Sequence, residues 1–142
     1  MEGLDTNVLV RYLVQDDPAQ SRLASELMEE RLSADRPGYI NNVVLCELMW
    51  VLEECYGQSR SQLLRVLNQL LCVVELRFQN VDVVRLAVAD FRDGKADFSD
   101  HLIARWNQAH GCEQTHTFDK KASKEPGFVL LAKSSGGAWP LT

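Results

Sequence analysis

Short apolar segments alternate with amphipathic helices along most of this chain. Strands are predicted at residues 1–7, 39–40, 73–78, 115–119 and 128–131, and helical patterns occupy the intervals between them. Because a helix between two neighbouring strands usually returns the chain by a right-handed crossover, this order predicts parallel strands. We therefore expect an α/β fold in which a central, mainly parallel sheet is flanked by helices on both faces. Residues 1–132 should form a single domain, and residues 133–142 a loose C-terminal tail.

Local signals predict where several helices begin and end. Asp17 followed by Pro18 indicates one helix start, and Ser59 with Gln62 forms a capping box that opens another. The other predicted starts and stops are Asn41 or Asn42, Gly57, Asn80, Gly94 and Gly111. Apolar residues at spacings of three and four should face the core; they include Leu23, Leu27, Met28, Leu102, Ile103 and Trp106.

The composition is that of an ordinary globular domain. The chain has 142 residues, of which 46% are hydrophobic and 25% charged, a length that suits one core. The N-terminus lacks a basic region followed by an apolar one, and no apolar run approaches the roughly 20 residues that span a bilayer. We therefore expect a cytoplasmic location and no membrane partner.

Charge and cysteine usage restrict the function classes further. The net charge of −5 gives no bulk attraction to nucleic acid, so a polyanionic substrate would have to be held by local cations or by metal ions. The histidines show no zinc-binding spacing. The cysteines have no C-x-x-C spacing and are expected to be reduced core residues; they are Cys46, Cys55, Cys72 and Cys112.

Isolated carboxylates mark the segments from which a site can be built. Asp5 and Asp119 each follow a predicted strand, and the carboxyl ends of parallel strands line the ligand crevice, so these two acids should meet there. Glu47 lies in the otherwise apolar run at residues 43–52. A carboxylate buried in such a run must be paired, protonated or bound to a metal. Alternatively, its side chain bends back to water or pairs with Arg11.

Asp97 and Asp100 lie three residues apart at the front of a helix predicted at residues 96–110. Taken alone, the pair is explained by helix capping, with Asp97 as N-cap and Asp100 in the first turn. A cluster of all these acids is different, because two carboxylates about 4 Å apart repel by about 4 kcal/mol at an effective dielectric near 20. A hard divalent cation relieves that repulsion, so Mg²⁺ or Mn²⁺ is the expected cofactor and phosphodiester hydrolysis a suitable reaction.

The same segments, taken together and in this order, resemble PIN-domain proteins, and most of all the VapC toxins of bacterial toxin–antitoxin pairs. The resemblance is carried by residues 3–13 with residues 15–18, residues 44–52, residues 96–104 and residues 117–122. It implies a metal-dependent endoribonuclease that cuts single-stranded regions of RNA and is silenced by a cognate antitoxin. Position by position, the resemblance assigns the catalytic and metal-binding acids as Asp5, Glu47, Asp100 and Asp119, with Asp97 as an auxiliary ligand or only a cap.

Polar and basic residues near these acids are expected to have supporting roles. Thr6 and Asn7 would position Asp5 or water, and Thr117 would do the same for Asp119. His101 stands at the expected mouth of the pocket. RNA phosphates would be contacted by Arg11, Arg105, Lys120 and Lys121. Relatives commonly pair as homodimers, so a second copy is an expected partner.

Two other function classes remain open. Aspartyl-phosphate phosphatases also carry an acid after the first strand, but they need a second Asp where this chain has Asn7, and no suitable Lys follows. A catalytically silent PIN-like module would bind RNA or protein without cutting. Filled acid positions favour the enzyme over the silent module.

Overall fold

Helices and very short strands alternate along the chain. The computed structural model describes residues 1–131, and the predicted tail lies outside the described residues. The elements are β1 (Glu2–Gly3), α1 (Thr6–Val14), α2 (Pro18–Glu26), β2 (Gly38–Ile40), α3 (Asn42–Glu54), α4 (Arg60–Leu71), β3 (Leu76–Phe78), α5 (Val81–Asp93), α6 (Phe98–Ala109), β4 (Thr115–Thr117) and β5 (Phe128–Leu130). A π-helical turn at Leu27–Arg31 extends α2, and a 3₁₀ turn at Ala122–Lys124 separates β4 from β5. None of the helices in this described part is long and apolar enough to cross a membrane.

All the paired strands are parallel, and within residues 1–131 they form two ladders. β2 lies between β1 and β3, with Tyr39 opposite both Gly3 and Arg77. β4 pairs with β5, with His116 opposite Val129. The predicted α/β class with a parallel sheet is thus confirmed, although β4 and β5 form a ladder separate from the three-stranded sheet.

The first and third strands are shorter than predicted. β1 ends at Gly3, because Asp5 accepts a hydrogen bond from the backbone N–H of Thr6 (2.8 Å) and α1 begins there. β3 begins only at Leu76, whose N–H donates to the carbonyl of Val73 (3.2 Å) in a turn. The early start of α1 places Asp5 at a helix N-terminus just beyond the end of a strand.

Hydrogen bonds at the helix ends confirm most of the predicted boundaries. Asp17 and Asn41 each accept a bond from the N–H three residues on, at 3.1 and 2.8 Å. Ser59 opens α4 with the complete capping box. Asn80 is the exception: it precedes α5, but its side-chain oxygen accepts a bond from the amide of Asn42 (3.0 Å) instead of capping the helix. This bond ties the first turn of α3 to the start of α5.

One hydrophobic core joins α1, α3, α4, α5 and α6 to β2 and β3. Burying an aliphatic side chain of this kind stabilises the fold by about 1.5–3 kcal/mol. The largest fully buried aliphatic side chains are Leu9, Val10, Ile40, Leu45, Leu48, Leu52, Leu67, Val84 and Leu102. Through Leu102 this core holds α6, and with it the acidic N-terminus of that helix.

Two residues expected in the core lie at the surface. Leu23 is 62% exposed, because α2 packs on α1 through the smaller Ser21 and Ala24, and the Ser21 hydroxyl donates to a carbonyl of α1 at 2.8 Å. Ile103 is 46% exposed, since the buried side of α6 is occupied by its neighbours, including His101. Periodicity thus identified both helices but misplaced one residue on each.

The cysteines are free thiols, as expected, but the prediction that they belong to the core is wrong for three of them. Cys46 is half-buried, whereas Cys55, Cys72 and Cys112 are exposed. Cys55 and Cys72 are the C-cap residues of α3 and α4, and Cys112 follows the end of α6. Each therefore lies where the chain leaves a helix and turns at the surface.

Candidate active site

Asp5 and Thr6 stand at the junction of β1 and α1. Asp5 is exposed, and one of its carboxylate oxygens accepts the N–H of Thr6 at 2.8 Å. Thr6 is buried, and its hydroxyl donates to a carboxylate oxygen of Glu47. Thr6 therefore holds Asp5 through its backbone and Glu47 through its side chain, whereas the sequence suggested a role toward Asp5 or water alone.

Glu47 projects from the exposed face of α3, so the prediction of a carboxylate buried in an apolar run is wrong. The buried face of that helix carries Leu45, Leu48 and Leu52, and Glu47 falls on the opposite face. Arg11 is not its partner. Glu47 is therefore exposed to solvent and held in place by its hydrogen bond from Thr6. It has no cationic partner among the described residues.

Asp97 and Asp100 flank the first turn of α6. Asp97 occupies the N-cap position, but its side chain makes no capping hydrogen bond, so its carboxylate stays available. Asp100 is half-buried; burial raises the pKa of its carboxyl group, and the nearby carboxylates of Asp97 and Asp119 raise that pKa further. The structure therefore brings these three acids within electrostatic reach of one another.

Asp119 follows the end of β4 and is exposed. One of its oxygens accepts the backbone N–H groups of Lys121 (2.8 Å) and Ala122 (3.2 Å) at the following 3₁₀ turn. The hydroxyl of Thr117 accepts the backbone N–H of Asp119 at 3.0 Å, so Thr117 holds the main chain of Asp119, not its carboxylate. The second carboxylate oxygen of Asp119 has no such partner among the described residues.

Cys46 connects the α3 side of the site to the α6 side. Burial raises the pKa of its thiol to about 11, and the charge of Asp100 contributes to the shift. Cys46 directly precedes Glu47 in α3. Cys46 also lines a cleft with Asp97 and Ser99, so the turn of α3 that carries Glu47 lies beside the N-terminus of α6.

Within residues 1–131, none of the five candidate carboxylates forms an ion pair. Other acids of the chain do, including Glu2 with Arg36, Asp16 with Arg11 and Asp90 with Arg105. Unpaired carboxylates that lie near one another, as Asp97, Asp100 and Asp119 do, repel one another, and a cation is the simplest partner that relieves the repulsion. The unpaired set consists of Asp5, Glu47, Asp97, Asp100 and Asp119.

The donor chemistry of this set fits a hard divalent cation. Carboxylate oxygens are the ligands that Mg²⁺ and Mn²⁺ prefer, and the set offers several oxygens that no other described group engages. In the part of the chain described, however, no three His, Cys, Asp or Glu side chains converge closely enough to form a complete metal site. The carboxylates are thus suitable ligands by type, and their positions define no coordination geometry.

Of the four basic residues proposed to contact RNA, the two arginines bind acidic side chains, and the two lysines form no ion pair in residues 1–131. Arg11 donates to Gln20 (2.8 Å), Asp16 (3.1 Å) and Tyr56 (3.1 Å). Arg105 is engaged by an ion pair across to α5. Lys120 and Lys121 are exposed beside Asp119 and pair with no acid in residues 1–131.

Asn7, which was expected to position Asp5 or water, is exposed and lines a cavity between α1 and α2.

His101 lies in the core and not at the mouth of the site, which corrects the sequence expectation. Its side chain is fully buried, and neither ring nitrogen has a hydrogen-bond partner among the described residues. Burial lowers the pKa of the imidazole, and its ring meets Phe91 edge-on with centroids 6.5 Å apart. His101 therefore belongs to the packing of α6 on α5.

Trp50 is the residue near the site that the sequence analysis missed. It is 60% exposed and lines a shallow cleft with Cys46, Asp97 and Ser99. The available signal was its position three residues after Glu47, which places both side chains on one face of α3.

The chain matches the model of a known protein family. The family model described as PIN domain matches residues 4–126 of the chain. The matched segment contains every candidate carboxylate. No curated protein matches the chain.

Proposed function

Because the chain belongs to the PIN domain family, we propose that it is a divalent-metal-dependent endoribonuclease that cleaves single-stranded regions of RNA. PIN domains are generally metal-dependent nucleases. The observation that carries the proposal is the set of five unpaired carboxylates at the ends of β1 and β4, on α3 and at the start of α6. The proposed roles are catalysis and metal binding for Asp5, Glu47, Asp100 and Asp119, with Asp97 as an auxiliary ligand.

The residues around these acids orient them. Thr6 holds one oxygen of Asp5 and one of Glu47, and the N–H groups of Lys121 and Ala122 hold one oxygen of Asp119. Each carboxylate keeps its second oxygen for a ligand. A divalent ion bound there would polarise the phosphodiester and lower the pKa of the attacking water.

Local cations must compensate for the negative charge of the protein when RNA approaches. Lys120 and Lys121 are exposed directly after Asp119, so they can contact phosphates next to the acids. We do not extend this role to Arg11 and Arg105, because both guanidinium groups already hold acidic partners. RNA as substrate agrees with the cytoplasmic location expected from the sequence.

We further propose that the chain is a toxin and that its partner is a cognate antitoxin. It is supported by the resemblance of the acid-bearing segments to VapC toxins and by an apolar cavity of about 400 Å³ between α1 and α2. Leu23, which is left out of the core, lines that cavity with Val8 and Leu27. An antitoxin would place an apolar helix in such a cavity and a basic side chain among the carboxylates. A homodimer would also cover exposed apolar residues of this kind.

Cleavage of single-stranded RNA by the purified chain tests the activity. RNA should be cut in Mg²⁺ or Mn²⁺ and remain intact in EDTA. Asp5→Asn and Asp100→Asn should each lower the rate by at least about 100-fold, because changes to groups that merely support metal ligands already cost about 10- to 100-fold. Asp35→Asn, which alters an exposed acid in the loop before β2, is the matched control and should cut normally.

The second candidate is a binding module that does not cut. The observation that favours it is the lack of a converged metal site in the described residues. Well-folded protein, free of any co-purified inhibitor, that binds RNA but leaves it intact in every metal would support this alternative over the nuclease.

A further inference from the structure

One large aromatic side chain is exposed beside the proposed acids. Trp50 is 60% exposed although it belongs to α3, whose other face forms much of the core. It lies three residues after Glu47, about one helical turn, so the two side chains share a face of the helix. On its other side it lines a cleft with Asp97 and Ser99 of the α6 N-terminus. The indole is therefore bordered by acids from two elements.

The cleft beside Trp50 is better suited to a flat ring that lies on the indole than to a group inserted into the cleft. The cleft has a volume of only about 30 Å³, too small to enclose a nucleobase or a peptide side chain. An apolar helix from a partner would need anchors spaced along several turns. On α3 the exposed Val43 and Trp50 are separated by the charged Glu47, so no continuous apolar stripe is presented.

The charge balance also favours an uncharged occupant that belongs to RNA. Phosphate groups dominate the affinity of most nucleic-acid-binding proteins, but this chain carries a net charge of −5 and its Arg11 and Arg105 are engaged by acids. Besides the phosphate contacts proposed for Lys120 and Lys121, contacts that do not depend on charge would therefore add to RNA affinity. Aromatic side chains supply such contacts by stacking on unpaired bases.

We propose that the exposed face of Trp50 stacks on an unpaired base of the RNA strand, next to the phosphodiester that a divalent ion at the carboxylates would hold. This inference rests on the proposed function, since it takes single-stranded RNA as the substrate. The neutral base lies on the indole, and its sugar–phosphate extends toward the divalent ion that the neighbouring acids would hold. Trp50 thus binds and positions the strand and takes no part in proton transfer.

Binding of labelled single-stranded RNA oligonucleotides, measured by fluorescence anisotropy in Mg²⁺, tests the inference separately from cleavage. The measurements use the Asp100→Asn protein, in which cleavage should be at least about 100-fold slower. In this background Trp50→Ala and Trp50→Leu should weaken binding by about 5- to 150-fold, the range expected for one stacked base. Trp50→Phe should retain most of the affinity, because it keeps an aromatic face. Leu86→Ala removes another exposed apolar side chain, on α5, and should have no effect.

Oligonucleotides with one abasic nucleotide identify the stacked position. One such position should weaken binding by the parent as much as Trp50→Ala does, and the same abasic site should cost the Trp50→Ala protein nothing further. Unchanged affinity in Trp50→Leu would overturn the proposal, because a merely apolar contact would then suffice. A change from dimer to monomer in sedimentation of Trp50→Ala, with RNA affinity unchanged, would instead assign Trp50 to a contact between copies.

The outcomes separate this inference from the proposed activity. RNA binding that depends on Trp50, in a wild-type protein that cuts nothing, would support stacking and contradict the nuclease. Metal-dependent cutting with no dependence on Trp50 would support the nuclease and overturn stacking.

Discussion

The hydroxyl of Thr6 donates a hydrogen bond to the carboxylate of Glu47, which joins the first turn of α1 to the middle of α3. Thr6 is buried, and its backbone N–H also holds Asp5. A single residue thus orients two acids that lie far apart in the sequence.

Thr6→Val should lower the rate of RNA cleavage by about 10- to 100-fold, the usual cost of losing a group that orients a metal ligand. The fold should lose only about 0.5–2 kcal/mol, because the exposed Glu47 can bond to water instead. Rates at saturating metal and urea unfolding measure the two effects. Thr6→Ser keeps the hydroxyl and should restore most of the activity, so equal losses in both variants would contradict this role.

Asp100→Asn should stabilise the metal-free protein at neutral pH. Burial and the carboxylates of Asp97 and Asp119 raise the pKa of Asp100 in the folded state, so the folded chain holds this proton more tightly than the unfolded chain. Stability is therefore lost as the pH rises from the unfolded pKa through the folded pKa, and above the folded pKa the wild type carries the full penalty.

Thermal unfolding in EDTA should show Asp100→Asn melting above the wild type at pH 7, with a smaller difference at acidic pH. Added Mg²⁺ should raise the melting temperature of the wild type more than that of the variant, because binding to the folded state stabilises it by mass action. Asp35→Asn should behave as the wild type does. A variant less stable than the wild type in EDTA at pH 7 would show that Asp100 has a favourable partner.

Arg105→Ala should destabilise the fold without a specific effect on RNA. The guanidinium of Arg105 donates to both oxygens of Asp90 (2.6 and 3.0 Å), and the two side chains are only 25% and 12% exposed. Breaking a pair at this depth should cost about 1–3 kcal/mol in urea unfolding.

Arg92→Ala breaks the exposed pair with Asp93 and should cost under about 1 kcal/mol. Both proteins should bind RNA equally well where they are folded. Weaker RNA binding in Arg105→Ala, with unchanged stability, would restore the hypothesis that Arg105 contacts phosphate.

His101→Leu should raise the free energy of unfolding at pH 7 by about 1–2 kcal/mol, because it replaces a buried imidazole with two unpartnered nitrogens by an apolar side chain of similar size. The neighbouring Leu102→Ala should lower it by about 2–5 kcal/mol through the cavity that it leaves. Urea unfolding of the two variants measures the contrast. Destabilisation by His101→Leu would mean that the imidazole has a partner such as buried water.

Much of the candidate site could be named from the sequence, because isolated acids in apolar surroundings are visible without coordinates. The PIN-domain match covers all of them, while their roles stay predictions. The contacts that surround these acids could be predicted less well from the sequence. Thr6 was expected near Asp5 and also holds Glu47, and Arg11 and Arg105 were expected at RNA and are bound to acids.

The α/β class and the helix starts at Asp17 and Ser59 were determined by the sequence itself, because capping and periodicity act over three or four residues along one helix. Only the tertiary structure decided that Glu47 faces solvent, that His101 faces the core and that Trp50 stands between acids of α3 and α6. Those outcomes depend on which face of a helix finds a partner, and that partner comes from elements distant in the chain. Electrostatic and packing contacts across such distances leave no periodic trace in the sequence.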